Sequence, residues 1–543
     1  MCPLLKALPA WFLAPVFAAA FQQAPATYTI SGTVLEHATN RPLNNVLVGI
    51  APVEHRAQPL AAVTGADGRF LFTNLPRGKY SLGAQRRSGP IQLYQQHEQF
   101  STAIAIGPGL DSENIVFPLQ AFARISGTVL DEEGEPVSSA QVQLLRKAIS
   151  NGAPEVIQSG STSTSNSGAF HFAHLAPGTY FIAVTAHPWY AQSPVTVYTG
   201  GGQNAAQVIE PPSGLDVAYP ITYYGDTTDP SAAQLITLGE GASVTAQISV
   251  RAVPAVHARV TGFDAQPGIG VGALAIVKGP GGFQIYTGAP LVGGPDGYEL
   301  NAIAPGHYDV QLQRFTEGNP PRTVRQSVDL STGSVISFPN RPDATISGQI
   351  TFESAGQPVK GASLQLSNYR DTLNCPVQPD GSFSCESPPP APGRYEFVLF
   401  NAPGFYVKSI STKGRTNSGD VIDIPAGTSL QLAVLAASVA LPKLDGIAVR
   451  DGKPMPAVMV LLLPQDPAQI ALIRRDQSDS DGTFTLSDIP PGRYTLLAID
   501  DGTDLAYQNP DVMKPYLVRG QSITVPSQIE IPAKVDVLPR QRN

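Results

Sequence analysis

Charged residues are scarce in this chain. They make up 14% of its 543 residues, whereas about 25% is usual in globular proteins. Acidic residues outnumber basic ones by 43 to 35, and no run of basic residues occurs. The sequence therefore lacks the charge pattern of a nucleic-acid-binding surface or of a polybasic membrane patch, and we expect no nucleic acid among its partners.

Long apolar stretches are also missing beyond the N-terminus. Within residues 1–20, Lys6 precedes an apolar stretch over residues 7–18, and the alanines at 18–20 match an A-x-A cleavage site. This pattern predicts a secretory signal peptide that is removed after Ala20. The alternative is a membrane anchor, but two prolines interrupt the stretch, and an anchor needs about 18 uninterrupted apolar residues. We expect an exported protein with no transmembrane segment in its mature chain, located in the periplasm, at the outer membrane or outside the cell.

Cysteine is rare, with three residues in the whole chain. Cys2 would leave with the signal peptide. Cys375 and Cys385 flank a turn at Asp380-Gly381, so they are predicted to face each other across a β-hairpin. In an oxidising compartment we expect a disulfide; the alternative is a pair of small buried apolar residues. A metal site is not expected, because no further Cys or His lies at ligand spacing.

Glycine and proline, by contrast, are abundant at 51 residues each, while 42% of the chain is apolar. This composition is typical of short strands joined by tight turns rather than of disorder. A repeated pair of phrases gives the chain its organisation. The first phrase is an Asp-Gly or Ser-Gly turn before an aromatic residue, at Asp67-Gly68-Arg69-Phe70, Ser167-Gly168-Ala169-Phe170, Asp296-Gly297-Tyr298, Asp380-Gly381-Ser382-Phe383 and Asp481-Gly482-Thr483-Phe484. The second phrase ends in Gly-x-Tyr, at Gly78-Lys79-Tyr80, Gly178-Thr179-Tyr180, Gly306-His307-Tyr308, Gly393-Arg394-Tyr395 and Gly492-Arg493-Tyr494.

An opening phrase with a central glycine precedes each pair. Its glycines are 95, 135, 86 and 98 residues apart, at Gly32, Gly127, Gly262, Gly348 and Gly446. The sequence therefore predicts five modules of about 100 residues. We place them at residues 21–120, 121–253, 254–342, 343–440 and 441–543, and call them modules 1 to 5; module 2 carries an insertion at 186–253.

Each module has the pattern of a half-buried β-sheet. Apolar residues alternate with polar ones, and turns recur every 8 to 12 residues. Phe70 and Phe72 would point to one face, and Tyr80 after its tight turn could return its hydroxyl to the backbone as a tyrosine corner. The fold class is therefore predicted to be all-β, with tandem antiparallel β-sandwich modules of the immunoglobulin-like or prealbumin-like kind, arranged as a rod or chain.

The three phrases together resemble the carboxypeptidase regulatory-like domain, most closely in the first two copies. They follow the order Ser-Gly-Thr-Val, then Asp-Gly-x-Phe-x-Phe, then Leu-x-Pro-Gly-x-Tyr. The resemblance implies a prealbumin-like sandwich, grouped with carbohydrate-binding-like folds. It also implies a non-catalytic accessory module of secreted or surface-associated bacterial proteins.

Motifs for catalysis are missing from the sequence. It contains no His-x-x-Glu or His-Glu-x-x-His metal pair, no Gly-x-Ser-x-Gly elbow and no phosphate-binding loop. We interpret His171 as a surface histidine, and Asp479 and Asp481 as turn residues rather than calcium ligands. We therefore expect no enzyme activity, no cofactor and no bound metal.

The 186–253 insertion is the best candidate for a binding site. It contains Trp189, Tyr190, Tyr223 and Tyr224, and aromatic residues on surface loops can stack on sugar rings or hold a partner's apolar side chain. The alternative is that they close the end of the module's own sandwich. Two functions stay open at this point: binding of a polysaccharide or cell-surface structure, and a structural spacer or docking scaffold for an envelope protein.

Overall fold

The computed structural model describes most of the chain from residue 27 to residue 541. The exceptions are residues 55–57, 88, 193–194, 199–205, 210, 213, 262–268, 289–290, 295–296, 317–321, 332–333, 338–345, 354–358, 368–371, 386–392, 403, 413–414, 419, 425–428, 439–441, 468 and 526–532. The signal peptide predicted for residues 1–20 lies outside the described residues. Strand and helix bounds below refer to the described residues.

Module 1 folds as two facing sheets. Its strands are β1 (Tyr28–Glu36), β2 (Val46–Pro52), β3 (Leu60–Val63), β4 (Arg69–Leu75), β5 (Gly78–Arg86), β6 (Gln92–Leu93), β7 (Ile104–Ile106) and β8 (Ile115–Leu119). One sheet has the order β4-β1-β8, and the other has the order β3-β2-β5-β6, with β7 also paired to β5. Ile30, Val48, Phe70, Leu82 and Phe117 belong to the core between the sheets.

Module 2 repeats this arrangement with additional strands. These are β9 (Ala123–Leu130), β10 (Gln141–Ser150), β11 (Ala153–Ser163), β12 (Ala169–Leu175), β13 (Gly178–Thr185), β14 (Val195–Tyr198), β15 (Ala206–Ile209), β16 (Val217–Ala218), β17 (Thr222–Tyr223), β18 (Ile236–Leu238) and β19 (Ser243–Ser249). The sheets have the orders β12-β9-β19 and β11-β10-β13-β17, with β18 paired to β13. The 186–253 segment therefore supplies strands of the sandwich itself, and the β14–β15 hairpin is its addition to the module 1 pattern.

Module 3 begins as the chain leaves module 2. Its strands are β20 (Val253–Pro254), which pairs with β16, then β21 (Val256–Thr261), β22 (Ile269–Lys278), β23 (Gln284–Gly288), β24 (Leu291–Gly294), β25 (Gly297–Ile303), β26 (Gly306–Thr316), β27 (Arg322–Leu330) and β28 (Val335–Ser337). A short 3-10 helix spans Pro280–Gly282. The two sheets have the orders β24-β25-β21-β28 and β23-β22-β26-β27.

Module 4 has the same two layers. Its strands are β29 (Ile346–Phe352), β30 (Ser363–Ser367), β31 (Thr372–Pro376), β32 (Ser382–Ser384), β33 (Gly393–Phe400), β34 (Phe405–Thr412), β35 (Arg415–Ser418), β36 (Val421–Ile424) and β37 (Leu430–Ser438). The sheets have the orders β32-β29-β37-β34-β35 and β31-β30-β33-β36. Cys375 at the end of β31 is bonded to Cys385 just after β32, with their Cα atoms 3.9 Å apart. The disulfide therefore joins the two sheets at one edge.

In module 5 the two layers are continuous. Its elements are β38 (Leu444–Arg450), β39 (Lys453–Pro454), β40 (Met459–Pro464), a 3-10 helix (Ile470–Leu472), β41 (Arg474–Gln477), β42 (Thr483–Leu486), β43 (Gly492–Ile499), α1 (Pro510–Leu517), β44 (Gln521–Val525) and β45 (Ala533–Leu538). Strand β45 pairs with both β38 and β43, which joins the layers. Within the part of the chain that the structure describes, no helix is long and apolar enough to cross a membrane.

The same pairing recurs at the opening strand of every module. β1, β9, β21, β29 and β38 each have an antiparallel neighbour from the aromatic phrase. Their other neighbour is the module's closing strand, and that pair is parallel. The predicted all-β fold of tandem sandwiches is confirmed, and the parallel pair is an additional finding. A parallel pair needs a long connection, which here is the rest of the module.

The opening glycine is explained by this pairing. A Cβ atom on Gly127 would lie 2.0 Å from the Ala246 carbonyl oxygen of the closing strand and 2.5 Å from the Phe170 ring. Gly32 in module 1 is equally close, at 2.2 Å from the Ile115 carbonyl oxygen. In modules 1, 2, 4 and 5 the aromatic ring of the phrase therefore lies against the opening strand at the glycine, where there is no side chain. In module 3 the residue opposite the aromatic Tyr298 is Val260, and Gly262 lies outside the described residues.

The predicted tyrosine corners are confirmed in four modules. Each tyrosine hydroxyl donates to the carbonyl oxygen four residues earlier, at 3.0 Å for Tyr80, 2.6 Å for Tyr180, 2.7 Å for Tyr308 and 2.8 Å for Tyr494. Because each ring is buried away from water, the hydroxyl would have no hydrogen-bond partner without this carbonyl oxygen. The Gly-x-Tyr phrase thus serves folding.

The chain of modules folds back on itself, so of the predicted rod or chain only the rod is wrong. Residues 95–105 of module 1 lie against residues 475–483 of module 5. The Ser480 N–H donates to the Ala103 carbonyl oxygen at 3.0 Å, and Lys79 Nζ donates to Asp479 Oδ2 at 2.6 Å. These groups belong to loops and outward-facing strand positions, which a strand pattern does not pair with each other.

Arg475 lies at the centre of this contact, and its side chain is only 4% exposed. Its Nη1 donates to Glu98 Oε2 at 2.7 Å, and its other terminal nitrogen contacts the ring of His97. The guanidinium carbon lies 4.5 Å from the ring centre of Phe100 and 5.7 Å from that of Tyr507. A cation held between two rings and a carboxylate fixes the two modules to each other.

Candidate binding site

Trp189 is displayed at the tip of a turn that follows β13. The Ala191 N–H donates to the Pro188 carbonyl oxygen at 3.1 Å and closes the turn. The Trp189 side chain is 89% exposed, the highest value among the large apolar residues for which exposure is described. Its ring meets that of Tyr190 edge to face, with centres 5.8 Å apart. A large apolar ring kept in water at such a position is available to a ligand.

Tyr190 is held in place by Glu132, which sequence reasoning did not single out. The Tyr190 hydroxyl donates a short hydrogen bond to Glu132 Oε1, and the Tyr219 hydroxyl donates to Oε2 at 3.3 Å. Hydrogen bonding to this carboxylate, together with burial, raises the pKa of Tyr190 to about 12. Burial and the same carboxylate raise the pKa of Tyr219. Both hydroxyls therefore stay protonated and act as donors at neutral pH.

Glu132 is positioned by a rigid turn after β9. The Asp131 N–H donates to the Glu135 carbonyl oxygen at 2.9 Å, and Asp131 Oδ1 accepts from the N–H groups of Glu133 and Glu135 at 3.0 and 2.8 Å. In sequence this segment looks like an ordinary acidic turn. Glu132 could have been found from its position in the fold. The turn after the opening strand β9 lies at the same end of the sandwich as the loop after β13, which carries Trp189.

Two of the predicted binding residues lie elsewhere. Tyr223 has no exposed surface, and it packs with Phe181 and with Ile285 of module 3. Tyr224 is half-buried and packs against the module 2 core. As a candidate for a surface platform Tyr223 was wrong, because β17 is a strand of the sandwich and the interface with module 3 covers its outer side. For these two residues the alternative of structural packing is the better interpretation.

His257 forms a hydrogen-bonded cluster with Asp216 and Asn301 at the boundary of modules 2 and 3. His257 Nε2 is 2.7 Å from Asp216 Oδ2, and Nδ1 is 3.0 Å from Asn301 Oδ1. Burial opposes protonation of His257, but these hydrogen bonds outweigh it and raise the pKa of the ring. Both ring nitrogens are occupied, so neither is available as a general base. We interpret the cluster as a link between the modules.

The predicted turn role fits the side-chain geometry of Asp481, whereas the side chain of Asp479 contacts module 1. Asp481 Oδ1 accepts from the Thr483 N–H at 3.1 Å, as in an Asx turn. Asp479 instead accepts from Lys79 and from the Ala103 N–H at 2.9 Å. Among the residues with described positions, no group of three or more His, Cys, Asp or Glu side chains is arranged to hold a metal ion.

Comparison with protein families concerns the module that carries this site. Residues 124–209 match the family described as the carboxypeptidase regulatory-like domain. This segment is a carboxypeptidase regulatory-like domain. The matched range of this regulatory-like domain includes Glu132, Trp189 and Tyr190, and Tyr219 follows it. The candidate site therefore lies mainly in turns of the regulatory-like domain.

The chain is only weakly similar to other known proteins and structures. Among curated proteins no significant match is found. The similar solved structures include a streptococcal ancillary pilin, with 10% identity, a TM-score of 0.20 and coverage of 53% of this chain and 99% of that chain. A minor pilin of Streptococcus agalactiae has 14% identity, a TM-score of 0.21 and coverage of 44% and 99%. The Bacillus anthracis TIE protein has 9% identity, a TM-score of 0.17 and coverage of 96% and 76%. TM-scores this low support no inference about how this chain works.

Proposed function

We propose that the protein is a non-catalytic, exported binding protein that recognises carbohydrate through the Trp189 turn of module 2. The observation that carries this proposal is the 89% exposure of Trp189 beside a tyrosine fixed by Glu132. Sugar rings bind to flat aromatic faces by apolar contact, and their hydroxyls bind to carboxylates and tyrosine hydroxyls. The site offers both kinds of group within one small surface.

We propose that the chain is divided into five modules with the boundaries given above. Arg475 holds module 5 against module 1, and the Gln508 N–H of module 5 donates to the Gly152 carbonyl oxygen of module 2 at 3.0 Å. These contacts do not use the Trp189 turn, which stays exposed for a ligand. A polysaccharide is the partner that we expect.

The experiment is retention of the mature chain, residues 21–543, on a panel of insoluble and immobilised polysaccharides. Trp189→Ala should lower retention on the bound glycan at least tenfold. The lost contact between the ring and the sugar should cost at least about 1.4 kcal/mol of binding free energy, which corresponds to a factor of ten in affinity. Val518→Ala is the matched control, because Val518 is 81% exposed on module 5. Retention on no glycan would overturn the proposal, and unchanged retention of Trp189→Ala would contradict the assignment of the site.

A second candidate function is that of a structural docking scaffold for an envelope protein. The module 1 to module 5 contact favours it, because a chain that packs its own modules together is a rigid body rather than a flexible spacer. Co-purification with an envelope protein, combined with no retention on any glycan, would favour this function. Turnover of a peptide or ester by the pure protein would contradict both candidates.

A further inference from the structure

Modules 4 and 5 enclose a cleft that the candidate site in module 2 does not involve. Its volume is about 730 Å³, and its lining includes Phe400, Tyr406 and Asp420 of module 4 and Arg474 and Arg493 of module 5. We call it the module 4–5 cleft. Ligand clefts usually have volumes of about 300–1,000 Å³ and occur preferentially between domains. In size and place, this cleft is therefore suited to a small ligand.

One end of the cleft is closed by direct contacts between the two modules. Strand β33 packs against the 3-10 helix of module 5. Gln469, just before that helix, donates to Asp420 Oδ1 at 3.3 Å. Arg394 Nη2 donates to Asp466 Oδ2 at 3.1 Å. These contacts hold the two walls of the cleft to each other, so the cleft exists before a ligand binds.

The outer face of β33 becomes more exposed with distance from the closed end. Alternate residues of a strand share a face, and on this face Glu396 is 5% exposed, Val398 is half-buried and Phe400 is 45% exposed. Phe400 lies seven positions after the glycine of the Gly-x-Tyr phrase. The equivalent residues of the other modules are polar in three cases and buried in the fourth: Gln85, Thr185, Gln313 and Ile499. The sandwich fold therefore does not require an exposed aromatic ring at this position.

Polar side chains also line the cleft. Those of Asn401, Asp488 and Arg493 are exposed there, and none of the three has a hydrogen-bond partner among the described residues. Lys408, which is also in the lining, is paired with Glu353 at 2.6 Å. The unpaired charges among the exposed lining residues are thus one carboxylate and one guanidinium. A neutral ligand with both hydrogen-bond donors and acceptors suits this lining better than an anion or a cation does.

Two charged groups are buried in the wall of the cleft. Burial raises the pKa of Asp420 and lowers the pKa of Arg474. The Nε and Nη2 atoms of Arg474 donate to the Asp488 carbonyl oxygen at 3.0 and 2.7 Å, which fixes the turn that carries Asp488. Titratable groups perturbed by burial in a cleft are typical of binding sites.

We propose that the module 4–5 cleft is a second carbohydrate site, which takes a short oligosaccharide stretch of a glycan. This inference rests on the proposed function, because it takes the ligand to be a glycan. The Phe400 ring packs on the apolar face of a sugar, as aromatic rings can. Each sugar hydroxyl donates one hydrogen bond and accepts others, so hydroxyls pair with Asn401, Asp488 and Arg493 alike. Two sites on one chain bind a polysaccharide more tightly than either site alone.

The test is isothermal titration of the mature chain carrying Trp189→Ala with soluble tetrasaccharides of cellulose, chitin, xylan and mannan. Without Trp189, the cleft is the site that is measured, and we expect it to bind one tetrasaccharide per chain. Adding Phe400→Ala should weaken this binding about tenfold, because the ring loses its contact with the sugar. Adding Arg493→Gln, a change of an exposed side chain, should also weaken it. Tyr286→Ala is the matched control, since Tyr286 is an aromatic residue of module 3 that is 54% exposed, and it should leave the binding unchanged.

The outcomes separate failure of the cleft site from failure of the proposed function. If no tetrasaccharide binds even the wild type, both are overturned. Binding to the wild type that disappears in Trp189→Ala overturns the cleft site alone. The cleft site is also overturned if binding to Trp189→Ala keeps its full strength after both Phe400→Ala and Arg493→Gln. If circular dichroism shows that the Phe400→Ala variant does not fold, Arg493→Gln decides by itself.

Discussion

Replacing Arg475 by methionine should loosen module 1 from module 5. Methionine keeps a long unbranched apolar chain in this place but lacks the guanidinium that contacts Glu98, His97 and Phe100. Glu98 is then left without its cation, although its side chain is only 16% exposed. Burial already raises the pKa of Glu98, and the charge of Arg475 opposes that rise. The variant therefore leaves a poorly solvated carboxylate at the interface.

The size of the effect follows from the burial of the pair. Breaking a buried ion pair by removing one partner costs about 3–5 kcal/mol, and because Glu98 keeps some contact with water we take the lower end, about 3 kcal/mol. A change of about 3 kcal/mol corresponds to a rise of roughly 100-fold in the fraction of molecules with the two modules apart. The whole fold need not unfold for this to be measured, since opening of one contact is a local event.

Hydrogen exchange of two amides reports on the contact directly. The Ala103 N–H donates to Asp479 Oδ1 at 2.9 Å, and the Ala105 N–H donates to Ser480 Oγ at 2.8 Å, so both are protected only while the modules touch. Their exchange should become roughly 100-fold faster in Arg475→Met, while amides in β26 of module 3 serve as the unchanged control. Adding Glu98→Gln should restore part of the protection by removing the lone charge. Unchanged exchange of Ala103 in Arg475→Met would refute the central role of Arg475.

Two further predictions concern a backbone contact and a titrating group. Gly127→Ala should destabilise module 2 by at least about 3 kcal/mol, because the new methyl group meets a main-chain oxygen that cannot move aside; a melting temperature equal to that of the wild type contradicts it. Burial and the charge of Arg475 lower the pKa of His97 from 6.5 to about 4. The contact between modules 1 and 5 therefore favours neutral His97. The stabilisation of this contact by neutral His97 is complete above about pH 6.5 and is lost as the pH falls toward 4. Ala103 exchange, corrected for its intrinsic pH dependence, should accelerate between about pH 7 and about pH 5 more in the wild type than in His97→Gln; equal acceleration refutes the role of His97.

Much of the local structure could be predicted because its causes lie within a few residues of each other. The Asp-Gly turn needs a glycine with positive φ, and Gly68 has a φ of 72°. The tyrosine corner needs only a hydroxyl four residues after a carbonyl oxygen. Cys375 and Cys385 lie ten positions apart, on either side of the turn between β31 and β32. In each case the residues that make the contact are also neighbours in sequence, so a repeated phrase identifies them.

Only part of the candidate site could be predicted from the sequence. Trp189 and Tyr190 could be identified because aromatic residues on surface loops can bind sugar rings or a partner's apolar side chain. Glu132 did not stand out, since it precedes them by more than fifty positions in an acidic turn. Tyr223 looked like its aromatic neighbours, and only the position of β17 in the sheet shows that it is buried. Composition identifies residue types that can bind, but the end of a sandwich at which two loops meet is set by strand order.

By itself, the sequence determined the repeated phrases, the all-β class and local contacts such as the tight turns and the tyrosine corners. Those follow from turn chemistry and from alternation of apolar residues, both of which act over short distances along the chain. Only the tertiary structure decided that module 5 returns to module 1. Arg475 lies in the polar stretch Arg474-Arg475-Asp476-Gln477, which would face water on an isolated strand. It is buried because Glu98 and Phe100, almost four hundred positions earlier in the sequence, contact it across the interface between modules 1 and 5.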